Sequence, residues 1–131
     1  MTDHEQIRAL IDSWAAAVRA SDISGILANH APEMVMFDVP PPIESRGLDA
    51  YRKTWEDTFF PWFQSSRIFH IGELSITTSS EVAFSHCLVH CGGTEKDGSH
   101  TEFDFRLTIC FKKMNGNWMV LHEHHSIPAT D

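Results

Sequence analysis

Positive charge is scarce in this sequence. Ten Lys and Arg stand against 18 Asp and Glu, a formal net charge of −8. The cations are scattered, and the one close pair, Lys112-Lys113, adjoins a turn. Nucleic acid and anionic membrane both require a basic face, so neither is expected as a partner. Long apolar runs are missing as well. Nothing approaches the roughly 18 residues of a membrane span, and no basic-plus-apolar leader opens the chain. Cysteine is limited to Cys87, Cys91 and Cys110, an odd number without a CxxC pair. That usage fits a reducing cytoplasm, with the thiols buried in strands. Nucleotide-binding loops, a Walker motif and a GxSxG elbow are absent, so no cofactor is expected.

What is present suffices for one domain spanning residues 1–131. A domain of this size buries roughly two thirds of its unfolded surface. Neither a disulfide nor a metal is needed for folding alone.

The first half has helical periodicity. Ile7, Leu10, Ile11, Trp14 and Val18 form one apolar stripe over residues 4–20. Thr2 with Glu5 has the form of a capping box before it. Ser21-Asp22 starts a short second helix carrying Ile23, Ile26, Leu27 and His30, ended by Pro32. Residues 34–39 alternate loosely and stop at Pro40-Pro41-Pro42, which predicts a short strand. A third helix follows over 48–63, with Leu48, Tyr51, Trp55, Phe59 and Phe63 on one face and Pro61 bending its last turn.

Beyond this point the period changes to two. Residues 67–78, 81–91, 100–113 and 117–126 read as strands, with Asn115-Gly116 joining the last two. Helices followed by an antiparallel meander make an α+β fold, the helices packed on one face of the sheet.

Three stretches resemble the nuclear transport factor 2-like superfamily, the cystatin-like α+β roll. It includes ketosteroid isomerases, SnoaL-type polyketide cyclases and the association domain of calcium/calmodulin-dependent kinase. The first stretch is Trp14 through Ile26, with its small residue, Asp22, Gly25 and apolar turn. The second is Phe37-Asp38-Val39-Pro40, with Gly47 nine residues after the Asp. The third combines Arg106-Leu107-Thr108, Asn115-Gly116-Asn117-Trp118 and His122-Glu123-His124-His125-Ser126. This C-terminal signature is closest to the SnoaL-like and kinase-association branches. The resemblance implies a strongly curved sheet around a conical cavity, and a homodimer formed through the sheet's outer face. It also implies that Asp38 occupies the general-base position of ketosteroid isomerases. The enolate-holding Tyr and protonated Asp of those enzymes are replaced here by Trp14 and a position near Cys110, so steroid isomerisation is not expected.

Asp38 lies between Phe37 and Val39, where partial desolvation suits a carboxylate to proton abstraction. The other reading is a solvated strand-end Asp. In the 100–113 strand, alternation puts Asp104, Arg106, Thr108 and Cys110 on one face and Phe103, Phe105, Leu107, Ile109 and Phe111 on the other. The polar face is expected to line a wet cavity, with Arg106 as an anion clamp. A surface ion pair is the alternative for Arg106.

His122 and His124 share a face, and Glu123 and His125 share the other. Two hairpin registers are open, because a one-residue slip moves every side chain across the sheet. The favoured one puts Arg106 with His122 and His124 toward the cavity. Imidazoles there would serve as acid, base or ligand contacts, the other reading being histidines hydrogen-bonded between helix and sheet. A metal, with His86 and His90 as further ligands, is the lesser reading, since three or four convergent ligands are required.

The expectation is therefore a pocket for a small, fairly apolar molecule with a polar or anionic group. Asp38, His122 and His124 would be catalytic, and Arg106, Trp14, Tyr51, Trp55, Phe59 and Cys110 would contact the ligand. No cofactor or metal is assigned. The chemistry would be cofactor-free isomerisation, cyclisation or hydration. The alternative is a non-catalytic ligand-binding or oligomerisation module.

Overall fold

The structure, a computed structural model, describes residues 1–130. Helix α1 spans Asp3–Ala20 and is opened by the expected capping box. Thr2 Oγ1 accepts from Glu5 N–H, and the Glu5 carboxylate accepts from Thr2 N–H. The stripe carrying Ile7, Ile11, Trp14 and Val18 is fully packed. Asp22 then caps α2 (Ile23–Leu27), accepting from Gly25 N–H at 3.2 Å. Gly25 is required by close approach, since a Cβ there would lie 2.7 Å from Ala17 Cβ.

Strand β1 is His30–Phe37, so it begins four residues before the expected strand and takes in His30, which the sequence had placed on α2. Pro32 does not end a helix. It falls where β1 slips register against its neighbour, between His30 and Val35, and a proline lacking N–H is tolerated at such a break. The two-residue β2 (Ser45–Arg46) precedes α3 (Leu48–Thr54). The helix continues through one π turn, Trp55–Phe59, into α4 (Phe60–Trp62).

The remaining strands are β3 (Ser65–Ile71), β4 (Ser75–Thr78), β5 (Val82–Thr94), β6 (His100–Met114) and β7 (Asn117–Ser126). The expected single strand over 67–78 is thus two. Gly72 separates them, donating its N–H to Leu88 C=O, and a Cβ there would come within 2.8 Å of that oxygen. The seven-stranded sheet runs β2-β1-β7-β6-β5-β3, with β4 also paired to β5. Only β1–β7 is parallel.

The sheet curves around α1 and α3 to make an α+β roll. Phe105, Leu107, Ile109 and Phe111 of β6 face inward with Ala83, Cys87, Val89 and Cys91 of β5. Arg106 and its alternates face outward. The apolar set, and not the polar set, therefore lines the interior. Helices supply an apolar surface that only the apolar alternates of β6 can match, and charge is left in water.

The β6–β7 turn is the two-residue Asn115-Gly116, both at positive φ (52° and 81°). Cys110 pairs with His122, and Phe111 with Val120, so Leu121 is an extra residue in β7. This bulge changes the parity of the strand. Trp118 and Val120 point inward before it, and Glu123 and His125 point inward after it.

Candidate active site

A cavity of about 650 Å³ opens between the π turn, β3, the ends of β5, β6 and β7, and the residues following β1. Its walls are mainly aromatic: Trp55, Phe59, Trp62, Phe69, Phe103 and Phe105. The π turn sets Trp55, Thr58 and Phe59 against the cavity. An irregular helical turn of this kind is a frequent device at functional sites. Polar groups are few. The acid and base among them are Asp38 and His125, while Asp104 borders the space with its carboxylate turned to His90 on the outer face, and no Lys or Arg lines the space among the described residues. Ile127, Pro128 and Thr130 border it from the C-terminal side.

Asp38 is placed by the end of β1, and His125 by β7, the strand beside it. Asp38 Oδ1 faces His125 Nδ1 at 3.6 Å, an ion-pair distance too long for a hydrogen bond. The His125 ring is 7 % exposed and stacks on Phe105, centroids 5.2 Å apart at 18°. Its other nitrogen, Nε2, donates to Glu123 Oε1 at 2.9 Å.

Glu123 has no solvent exposure and is surrounded by donors. Tyr51 Oη–H donates to Oε2 at 2.8 Å, and His30 Nε2 lies 2.6 Å from the same oxygen. His30 Nδ1 donates to the Ala28 carbonyl at 2.9 Å, which leaves a single hydrogen between Nε2 and Oε2. Tyr51 Oη accepts in turn from Trp14 Nε1–H at 3.0 Å. A buried carboxylate is sustained only by such a set of partners.

The electrostatics follow from this packing. Burial raises the Glu123 carboxyl, but hydrogen bonds from His125 and His30, and their charges, outweigh it and bring the group down to about 2. Burial works against protonation of His125. The bond to Glu123, its charge and that of Asp38 prevail, so His125 titrates above the ordinary histidine value. Burial, with the Glu123 charge, holds the Tyr51 phenol well above its usual range. Cys91, on the cavity wall, is pushed up to about 12 by burial and by Asp38, which leaves an unreactive thiol.

The expected residues divide into three groups. Asp38, Trp55 and Phe59 line the cavity. Trp14 and Tyr51 lie behind its wall, in the hydrogen-bonded network. Arg106, His122, His124 and Cys110 are on the outer face of the sheet and do not reach the cavity. Arg106 is exposed and bonds Ser126 Oγ at 3.0 Å. His122 Nδ1 is 2.6 Å from the Val35 carbonyl, and both His122 and His124 pack edge-on to Phe37. Arg106 does share a face with His122 and His124, but that face is the outer one.

Glu123 and His125, the inward pair, were the pair not chosen from sequence. The usable signal was a Glu in an apolar strand at the parity opposite His122. The Leu121 bulge that turns it inward leaves no mark in composition. His86 and His90 are not joined to these groups. His90 lies on the outer face between Asp104 Oδ1 (2.7 Å) and Glu102 Oε1 (2.6 Å). Among the described residues, no group of three or more His, Cys, Asp or Glu is arranged to hold a metal ion.

Comparison with known proteins agrees with this architecture. The model of the SnoaL-like domain matches residues 7–130. A nuclear transport factor 2-like protein of unknown function from Pseudomonas putida KT2440 is 32% identical, with a TM-score of 0.85, covering 98% of this chain and 89% of that one. Two further structures share the fold. One is a putative calcium/calmodulin-dependent protein kinase II association domain from Xanthomonas campestris (17% identity, TM-score 0.81, 99% and 91% covered). The other is a ketosteroid isomerase-like protein from Erwinia carotovora atroseptica (20% identity, TM-score 0.78, 93% of each chain covered). No curated protein matches the chain. With nearly its whole length matched, the chain belongs to the SnoaL-like domain family of the nuclear transport factor 2-like superfamily.

Proposed function

We propose that the protein binds a small, largely apolar molecule in the aromatic cavity and performs cofactor-free acid–base chemistry on it, of the isomerase, cyclase or hydratase kind. One observation carries this reading: Asp38 Oδ1 and His125 Nδ1 face one another across 3.6 Å at the cavity wall, while Glu123 holds the far side of the imidazole. A base and an orienting acid on strand-anchored positions are what proton transfer requires. Asp38 takes a proton from carbon next to a carbonyl, and the C–H electron pair moves into the enolate. His125 Nδ1–H hydrogen-bonds the enolate oxygen, and return of the proton to another carbon completes an isomerisation. His125 takes the role that the sequence suggested for His122 or His124.

The test is deuterium uptake at carbon, followed by NMR, for a panel of apolar cyclic ketones in D₂O. Uptake catalysed by the protein and lost in Asp38→Asn supports the reading. Binding without uptake favours the second reading, a non-catalytic ligand-binding module.

Self-association is part of the proposal. Val82, Phe84 and Leu88 project from the outer face of β5 and are each about half exposed or more. Three exposed apolar side chains on one strand face, interrupted only by His86, suit a second copy of the chain. Sedimentation of the protein and of Leu88→Glu tests the dimer. A wild-type monomer would remove it.

A further inference from the structure

Resting on the cavity reading above, we infer that the ligand held most tightly is an uncharged, flat aromatic molecule carrying a hydroxyl group, a phenol or a stable enol, and that carboxylate-bearing molecules are rejected. The sequence suggested a ligand with a polar or anionic group because Arg106 was expected as its clamp. Arg106 lies on the opposite side of the sheet. Among the described residues lining the cavity, no Lys or Arg compensates Asp38. A carboxylate would have to give up its water beside Asp38 with only His125 to receive it, a costly placement.

The polar group is defined by what it must satisfy. His125 Nε2–H is already used by Glu123, so Nδ1 is the one ring nitrogen left to meet a ligand. Asp38, as a carboxylate, only accepts. An oxygen that touches both groups must donate to Asp38. It accepts from Nδ1 when the imidazole is protonated, the form that Glu123 and Asp38 favour. A hydroxyl does both. A ketone oxygen only accepts, so a ketone substrate is held less tightly than the enol that proton removal gives, and a carboxylate leaves Asp38 facing another anion.

The remaining walls argue for a flat ring system. Trp62 and Phe103 stack at 5.4 Å and 23°, and Phe59 and Phe69 meet edge-on at 6.1 Å. These faces and edges offer π contacts to a planar ligand. A volume of about 650 Å³ accommodates fused rings.

The experiment uses three probes with the same ring: 2-naphthol, 2-naphthoate and 2-naphthylmethylamine. Affinities are read near neutral pH by calorimetry and by quenching of tryptophan fluorescence. In the wild-type protein 2-naphthol is expected to bind at least about tenfold more tightly than 2-naphthoate. In Asp38→Asn, checked for folding by circular dichroism, the gap should narrow as repulsion of the anion is removed. Arg106→Ala should leave the ranking unchanged. The wild-type ranking decides the matter without any variant. Equal or tighter binding of 2-naphthoate overturns the inference and leaves the cavity reading standing. Tightest binding of the amine also overturns it, since Asp38 would then be a counter-ion. Failure of all three probes to bind overturns the cavity reading and the inference with it.

Discussion

Glu123 Oε1 accepts from His125 Nε2 at 2.9 Å, two residues apart on the same inward face of β7. Glu123 thereby sets both the orientation and the proton affinity of the imidazole. Burial alone would lower His125, and the Glu123 charge reverses that. In Glu123→Gln the burial remains and only the charge of Asp38 opposes it. The His125 ring resonance, followed by NMR through a pH titration, should move at lower pH in the variant than in the wild type. An unchanged titration would detach His125 from Glu123.

The same pair governs acid stability. The Glu123 carboxyl lies at about 2 in the folded protein against an ordinary value of 4.5, because donors around it outweigh the burial that opposes ionisation. A group lowered by folding contributes stability that is complete above its unfolded value and is lost as pH falls through the folded one. Stability should therefore decline between pH 4.5 and about 2, by about 3 kcal/mol from this group. His125, raised by folding above 6.5, acts in the opposite sense. Its contribution is complete below 6.5 and fades as pH rises through the folded value. Urea midpoints measured against pH should show both arms in the wild type. Glu123→Gln should lose most of the acid arm.

Tyr51→Phe tests the network behind the cavity. The substitution removes one donor to Glu123, which keeps His30 and His125. It also removes the acceptor of Trp14 Nε1–H, leaving that donor buried without a partner. The cost should be about 1–3 kcal/mol in chemical denaturation. In a Trp14→Phe background the orphaned donor is already gone, so adding Tyr51→Phe should cost less there than in the wild type. Equal costs in both backgrounds would mean that the Trp14–Tyr51 bond contributes nothing.

The fold was legible because its signals are local. Thr2 and Glu5 mark the start of α1, Asp22 and Gly25 mark the next turn, and Asn115-Gly116 marks the hairpin. Each acts through bonds or steric limits among near neighbours. The site was legible only in part. Asp38 could be found from its apolar flanks and from the resemblance, and Trp55 and Phe59 from helical spacing. Arg106, His122 and His124 share a face, as strand alternation indicated. Which side of a sheet faces the interior is a tertiary fact, settled by the apolar surface of α1 and α3. The roles of Glu123 and His125 were obscured further by the Leu121 bulge. His30 was obscured by a strand that begins before its proline.

Leu121 is the residue that lets two inward pairs of β7 coexist. Phe111 pairs with Val120 and Cys110 with His122, so Leu121 has no partner on β6. Were Leu121 paired in an unbroken strand, alternation from Trp118 and Val120 would bring His122 and His124 inward and send Glu123 and His125 to the outer face. Deletion of Leu121 acts differently. It removes the unpaired residue, leaves Phe111 opposite Val120 and Cys110 opposite His122, and keeps Trp118, Val120, Glu123 and His125 on the inner face. The deletion should therefore give a folded protein, destabilised by about 1–2 kcal/mol through the loss of a half-buried side chain and of the local twist. The His125 resonance should still titrate above the ordinary histidine value. Thermal denaturation, with the His125 titration by NMR, measures both effects. A deletion variant that unfolds, or whose His125 titrates as an ordinary histidine, would mean that the bulge itself, and not the register on either side of it, holds Glu123 and His125 inward.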